Sequence, residues 1–235
     1  NANPAYNLPH TYHIEGDVDY EIFSRSINLL FDRQHTIFSV FRQTDGNPYI
    51  DIVRQEVQVE IVDFSYLPPE VRKDRIFEFS SEVTRETFDI EKGPLFRLYL
   101  LKEDNNSYYF HSVIHHLIFD GWSMTLFLKD LSTIYSDLCR GAENSLSPLP
   151  LHSYDLVQWE NERSTGSEDD LLKAFWKEYL KECPSELKFP YDFPRKKALS
   201  GLGYRESFVI PEIYTEGLER LANEANSSMF KTMLA

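Results

Sequence analysis

The chain has 235 residues, 42% hydrophobic and 14% aromatic, which is enough apolar mass for a sizeable core and too much for a disordered segment. With 38 acidic against 24 basic residues the formal net charge is −14, which argues against a nucleic-acid surface or docking on an anionic membrane, since both need a basic footprint. No run approaches the roughly 18 apolar residues of a membrane span and no secretory leader opens the sequence, so a cytoplasmic protein is expected; Cys139 and Cys183 show no metal-ligand spacing and are expected to be reduced thiols.

The elements read in chain order as follows. Residues 11–15 read as a short strand. Asp17 is a candidate cap for a helix over 18–34, with Ile22, Phe23, Ile27, Leu30 and Phe31 on one stripe. Runs 38–44 and 49–53 flank Asp45-Gly46, a hairpin signal. Val57, Val59, Ile61 and Phe64 suggest a further strand, and Pro68-Pro69 opens a charged helix ending near Phe88. Runs 95–101 and 108–114 form a second hairpin around Asp104-Asn105-Asn106. A helix over 122–139 carries Met124, Phe127, Leu128, Leu131, Ile134, Tyr135 and Leu138 on its apolar side, and Gly141 is a natural stop. Helices near 154–163 and 168–181 follow, then a surface crossing over 183–203. A strand over 204–210 and a helix from Pro211 to about Asn226 come next, and 229–235 read as a helix barely begun.

The most informative segment is His115-His116-Leu117-Ile118-Phe119-Asp120-Gly121, followed by Trp122-Ser123. Two histidines close an apolar strand, and a helix opens a few residues later. Imidazole is the side chain best placed to move protons near neutral pH. Each residue also has an ordinary reading: two polar residues at a strand end, Asp120 as a helix cap, Gly121 as relief for a tight turn. The combination, set between strand and helix, favours function.

This string resembles the core motif of condensation domains of nonribosomal peptide synthetases, members of the chloramphenicol acetyltransferase-like superfamily. Pro4-Ala5-Tyr6-Asn7-Leu8-Pro9 is similar to the family's opening segment, and Gly93-Pro94-Leu95-Phe96-Arg97 to a strand entry. Residues 33–41 stand where the family has Arg-His-Glu-x-Leu-Arg-Thr-x-Phe, of which Arg33, Phe41 and the apolar character of Ile37 are kept. Asp155 and Trp159 match a Tyr-x-Asp-Tyr-Ala-x-Trp motif, and residues 189–195 resemble a Pro-x-Asp-x-Pro-Arg linker.

The resemblance implies an α/β fold, a chloramphenicol acetyltransferase-like lobe in which a mixed β-sheet is flanked by helices. Residues 1–180 would be the N-terminal lobe, and 181–235 the linker and the truncated start of a second lobe. The implied activity is amide formation: the amine of an acceptor aminoacyl thioester attacks a donor acyl or peptidyl thioester. No cofactor binds directly; both substrates ride on phosphopantetheine arms of donor and acceptor carrier domains. An adjacent adenylation domain and the second lobe are further implied partners. His116 is the implied catalytic residue. His115 is read as packing or tautomer-fixing, Asp120 as structural, through capping or an ion pair with Arg33 or Arg97, and Gly121 as allowing close backbone approach. The helix that starts here offers its N-terminus to an oxyanion. Epimerisation domains share the histidines and Asp-Gly but continue Val-Ser-Trp, whereas Trp122-Ser123 is similar to the condensing members. A CoA-dependent acyltransferase and an inactive carrier-docking lobe also fit the motif, and the truncated chain alone is expected to be inactive.

Overall fold

A computed structural model describes residues 3–163, 167–186, 190–194 and 208–235. The chain divides into two compact units, Asn1–Ala198 and Leu199–Ala235. The first is built on a four-stranded mixed sheet. Strand β1 (Asn7–Glu15) lies at one edge beside β6 (Ser107–His115), then β5 (Phe96–Asp104), then β4 (Glu60–Asp63). The β1/β6 and β6/β5 pairs are antiparallel, whereas β4 runs parallel to β5. A parallel pair needs a long crossover, and helix α2 (Pro69–Arg85) supplies it. Helices α1 (Tyr20–Arg33) and α3 (Gly121–Cys139) complete the core. Strands β2 (Ser39–Thr44) and β3 (Asn47–Ile52) form a separate hairpin.

Alternation along the central strands explains the layers. On β5, Phe96, Leu98 and Leu100 share one cluster with Phe23, Ile27 and Phe31 of α1 and Met124, Phe127 and Leu131 of α3. Tyr99 and Leu101 join Ile76 and Val83 of α2 in a second cluster on the opposite face. Both faces of β5 and β6 are therefore covered, which is why the two strands read as nearly continuous apolar runs.

Several boundaries differ from the sequence reading. Strand β1 starts at Asn7, not 11, because Pro9 sits on an edge strand where a missing N–H is tolerated. The cap of α1 is Asp19, not Asp17: its carboxylate accepts the Ile22 N–H at 2.9 Å. Strand β4 is only four residues long, and Val57 and Val59 are buried in irregular chain before it. The Asp45-Gly46 hairpin holds as read, with φ of 51° and 80° at the two turn positions, a primed turn that suits glycine at the second.

Helices α4 (Ser153–Arg163) and α5 (Ser167–Tyr179) belong to the first unit. Asp155 caps α4 by accepting the His152 N–H at 2.7 Å. The second unit contains α6 (Glu212–Glu224) and α7 (Met229–Leu234), the latter capped by Ser228. Most of the strand expected over 204–210, and parts of the 183–203 crossing and of the 189–195 linker, lie outside the described residues; residues 208–210 are not strand.

Candidate active site

The site is made where β6 runs out. The His115 N–H donates to the Leu95 carbonyl, and the His116 N–H donates to the Tyr6 carbonyl, both at 2.9 Å. The strand thus ends tied to neighbours on both sides, and the two imidazoles leave it in different directions.

His115 is turned inward and buried. Its ring stands edge-on to Phe88, with centroids 6.0 Å apart at 84°. Its Nδ1 accepts the Leu117 N–H at 3.1 Å, so the neutral ring carries its proton on Nε2. Burial lowers its pKa, and the neighbouring His116 adds to the effect. His115 therefore packs as a neutral ring and fixes the turn after the strand.

His116 is exposed. Its Nδ1 lies 3.0 Å from the Phe119 carbonyl oxygen. A carbonyl only accepts, so Nδ1 is the donor and the neutral ring keeps its lone pair on Nε2. The backbone thereby sets the tautomer of a solvent-facing base. Phe119 is itself buried, edge-on to Phe127 at 6.0 Å, so the carbonyl that orients the imidazole is anchored in the core.

Asp120 caps α3. One of its carboxylate oxygens accepts both the Ser123 N–H and the Ser123 hydroxyl, each at 2.7 Å. These two bonds, led by the hydroxyl, hold its carboxyl below the usual range. Of the two structural roles expected for Asp120, the cap is present and the arginine partner is not. Asp120 pairs with neither arginine: Arg33 approaches Asp130 of α3 at 4.0 Å, and Arg97 approaches Glu86 at 3.5 Å. Gly121 is the first residue of α3 and faces open space, while Trp122 stands 75% exposed beside it.

Arg97 has a different task. It donates to the Glu86 and Thr87 carbonyls at 3.2 and 2.8 Å and lies over the Phe88 ring at 4.0 Å. It clasps the 86–88 segment from below. From the other side Asn7 donates to the Thr84 and Glu86 carbonyls at 2.7 and 2.8 Å, satisfying the end of α2. Tyr6, Phe88, Glu91, His115, His116 and Leu117 then line one cleft of about 830 Å³. Sequence reasoning missed Thr87 and Phe88 as parts of this wall, and Asn7 as the residue that braces the chain just before it. The available signal was the resemblance of 4–9 and 93–97 to family segments, which the fold brings to either side of His115.

A second histidine of β6, His111, is fully buried between sheet and α2. Thr11 and Thr84 hydroxyls lie 2.8 and 3.5 Å from its two ring nitrogens. Burial first, then His10, pushes its pKa down to about 4, against an opposing bond to the Ser80 backbone. It is a neutral core residue away from the cleft.

A mixed sheet, helices on both faces, and an exposed imidazole whose tautomer is fixed at a strand-to-helix junction define an α/β lobe with a proton acceptor at its cleft. The chain belongs to the condensation domain family, whose profile matches residues 1–235. It is 30% identical over 232 residues to a linear gramicidin synthase of Brevibacillus parabrevis, covering 98% of this chain and 3% of that protein. It is 28% identical to the dimodular nonribosomal peptide synthase of Bacillus subtilis, covering 98% of this chain and 10% of that one. Among solved structures, the SgcC5 protein from Streptomyces globisporus matches with a TM-score of 0.75 at 21% identity, over 98% of this chain and 52% of that one. The starter condensation domain of rhizomide synthetase matches with a TM-score of 0.72 at 18% identity, over 78% and 44%. The solved structures establish the fold, and the chain spans only a small part of the synthases it matches.

Proposed function

We propose that this chain carries the catalytic motif of an amide-forming condensation domain, an acyltransferase of nonribosomal peptide synthesis. The observation that carries the reading is His116: exposed, at a cleft, with Nδ1–H committed to Phe119 and Nε2 left to accept a proton. The reaction asks for no stronger base. A free α-amine has a pKa of about 7.7–8.0, so a useful fraction attacks unaided. Attack on the donor thioester carbonyl forms the new C–N bond and leaves a positively charged nitrogen. His116 Nε2 takes that proton or orients the amine before attack. The thioester C–S bond then breaks, and the sulfur leaves on its pantetheine arm as a thiolate that takes up the proton released from the nitrogen, from His116 or through water.

The remaining assignments are part of the same proposal, and family membership supports them. His115 and Asp120 position the loop, Ser123 holds Asp120, Gly121 and Trp122 open the helix after it, and Arg33 and Arg97 brace α3 and the 86–88 segment around it. Phosphopantetheine brings both substrates as thioesters from donor and acceptor carrier domains, with an adenylation domain nearby. Residues 1–180 serve as the N-terminal lobe, and 181–235 link to and begin a second. No helix among the described residues is long and apolar enough to cross a membrane, and we assign the domain to the cytoplasm. Glu91, an exposed carboxylate at the cleft, disfavours the phosphates of free acyl-CoA. The test uses the full-length synthetase with loaded carriers. Amide product from carrier-bound donor, with no turnover of the same acyl group on CoA, supports the reading. Turnover of acyl-CoA, or hydrolysis without amide, overturns it.

A further inference from the structure

One short run of chain at the start of β1 reaches both sides of the cleft. The Tyr6 carbonyl accepts the His116 N–H at 2.9 Å, which fixes the backbone under the base. The next residue, Asn7, turns its side chain to the opposite wall, where its amide group donates to the Thr84 and Glu86 carbonyls at 2.7 and 2.8 Å. Those carbonyls stand where α2 ends, and the chain runs from them directly into Thr87, Phe88, Ile90 and Glu91, which line the cleft. Asn7 also lies opposite His115 in the sheet. The strand bonds flank this pair rather than pass through it, so the two side chains stand close on one face. Other groups tie the wall elsewhere. Arg97 donates to the Glu86 carbonyl at 3.2 Å, the Phe41 N–H to the Ile90 carbonyl at 2.8 Å and Arg42 to the Glu91 carbonyl at 3.1 Å. Asn7 is the tether that leads back, through the adjacent Tyr6 carbonyl, to His116. It is a costly choice for packing alone: the residue is 7% exposed, and its Oδ1 is buried with no hydrogen-bond partner among the described residues.

We propose that Asn7 is a positioning residue of the condensation site: its side-chain amide is a strut that sets the distance between His116 and the 87–91 wall, and so the alignment of the groups that react between them. The assignment rests on the condensation reading above. Asn7 is not among the residues that line the cleft, so it acts through the wall and through Tyr6 rather than on substrate. Misplacing a reacting group by about 1 Å costs up to about 10²-fold in rate. A strut longer by one methylene shifts the wall on that scale, since a carbon–carbon bond is about 1.5 Å.

The test measures single-turnover amide formation in the full-length synthetase with both carriers loaded, reading the rate constant and the amplitude separately. A residue that only stabilises the fold changes the fraction of active molecules, and so the amplitude. A positioning residue changes the rate constant of the molecules that remain folded. Asn7→Gln keeps both N–H donors on a longer side chain, and Asn7→Ala removes them. Each is expected to lower the rate constant by about 10–100-fold while most of the donor is still converted. Asn7→Gln carries the test if Asn7→Ala does not fold. Val83→Ala trims a buried side chain one residue before Thr84 and leaves both Asn7 bonds in place, so it keeps the wild-type rate constant. A wild-type rate constant in Asn7→Gln, a fall in amplitude alone in the Asn7 variants, or an equal loss of rate in Val83→Ala overturns the strut while leaving condensation intact. A wild-type enzyme that forms no amide overturns the condensation reading, and the strut's role with it.

Discussion

Removing the Asp120 carboxylate separates two roles that the motif leaves entangled. Asp120 makes two bonds from one oxygen to Ser123, at the N–H and at the hydroxyl. Replacing a capping Asp by Ala costs about 1 kcal/mol, within a range of roughly 0.5–2. Asp120 is exposed and has no buried ion pair, so no uncompensated buried charge adds to that cost. In a unit of this size about 1 kcal/mol corresponds to a Tm decrease of about 2–4 °C. The first turn of α3 then loosens, and with it the Phe119 carbonyl that orients His116. Asp120→Ala is therefore expected to lower Tm and condensation together, whereas Asp120→Asn, which caps as well, restores both. Differential scanning fluorimetry and single-turnover amide formation on the same preparations measure the pair. An Asp120→Asn protein with native Tm and the same lost activity as Asp120→Ala would refute the structural assignment and make the carboxylate a chemical participant.

Two further outcomes follow from the core beneath the site. His111 is neutral when folded, with a pKa of about 4, while the unfolded chain protonates it near 6.5. Its contribution is thus complete above pH 6.5 and is lost progressively as pH falls toward 4, by about 3 kcal/mol in total. Urea midpoints compared with His111→Gln across pH 7.5 to 4.5 should converge on acidification, and a constant difference would contradict the buried neutral ring. Gly93 has φ of 65°, and a Cβ there would meet Val40 Cγ1 at 2.9 Å. Gly93→Ala should therefore lose about 2–4 kcal/mol from left-handed strain plus overpacking, read by denaturant unfolding; a loss under about 0.5 kcal/mol would show that the loop shifts freely.

How much of the fold is legible in the sequence follows the strength of local signals. The α3 stripe, the Asp45-Gly46 turn and the β5–β6 hairpin read with nearly correct ends, because periodicity and turn chemistry agree at each. Strand β1 reads short because Pro9 looks like a stop, and only the sheet order reveals that it sits on an edge. Asp17 and Asp19 are equally good caps by composition, and the choice depends on where the helix packs. At the site, the motif locates His115, His116 and Asp120 but not their directions. That His115 turns in and His116 out depends on the Leu95, Tyr6 and Leu117 backbone bonds. The cleft wall is least legible, since Tyr6, Phe88 and His115 come together only once the long stretch of chain between the first and the last has folded.

The whole reading depends on the proposed role of His116 as the proton-handling group. Its most direct test is single-turnover amide formation in the full-length synthetase carrying His116→Ala, with both carriers loaded beforehand so that adenylation and loading drop out. A positioned acid or base contributes about 10²–10⁴-fold. A loss of that size is expected with little change in Tm, because the exposed ring gives up a single part-buried hydrogen bond to the Phe119 carbonyl. An unchanged rate with loaded carriers would contradict it.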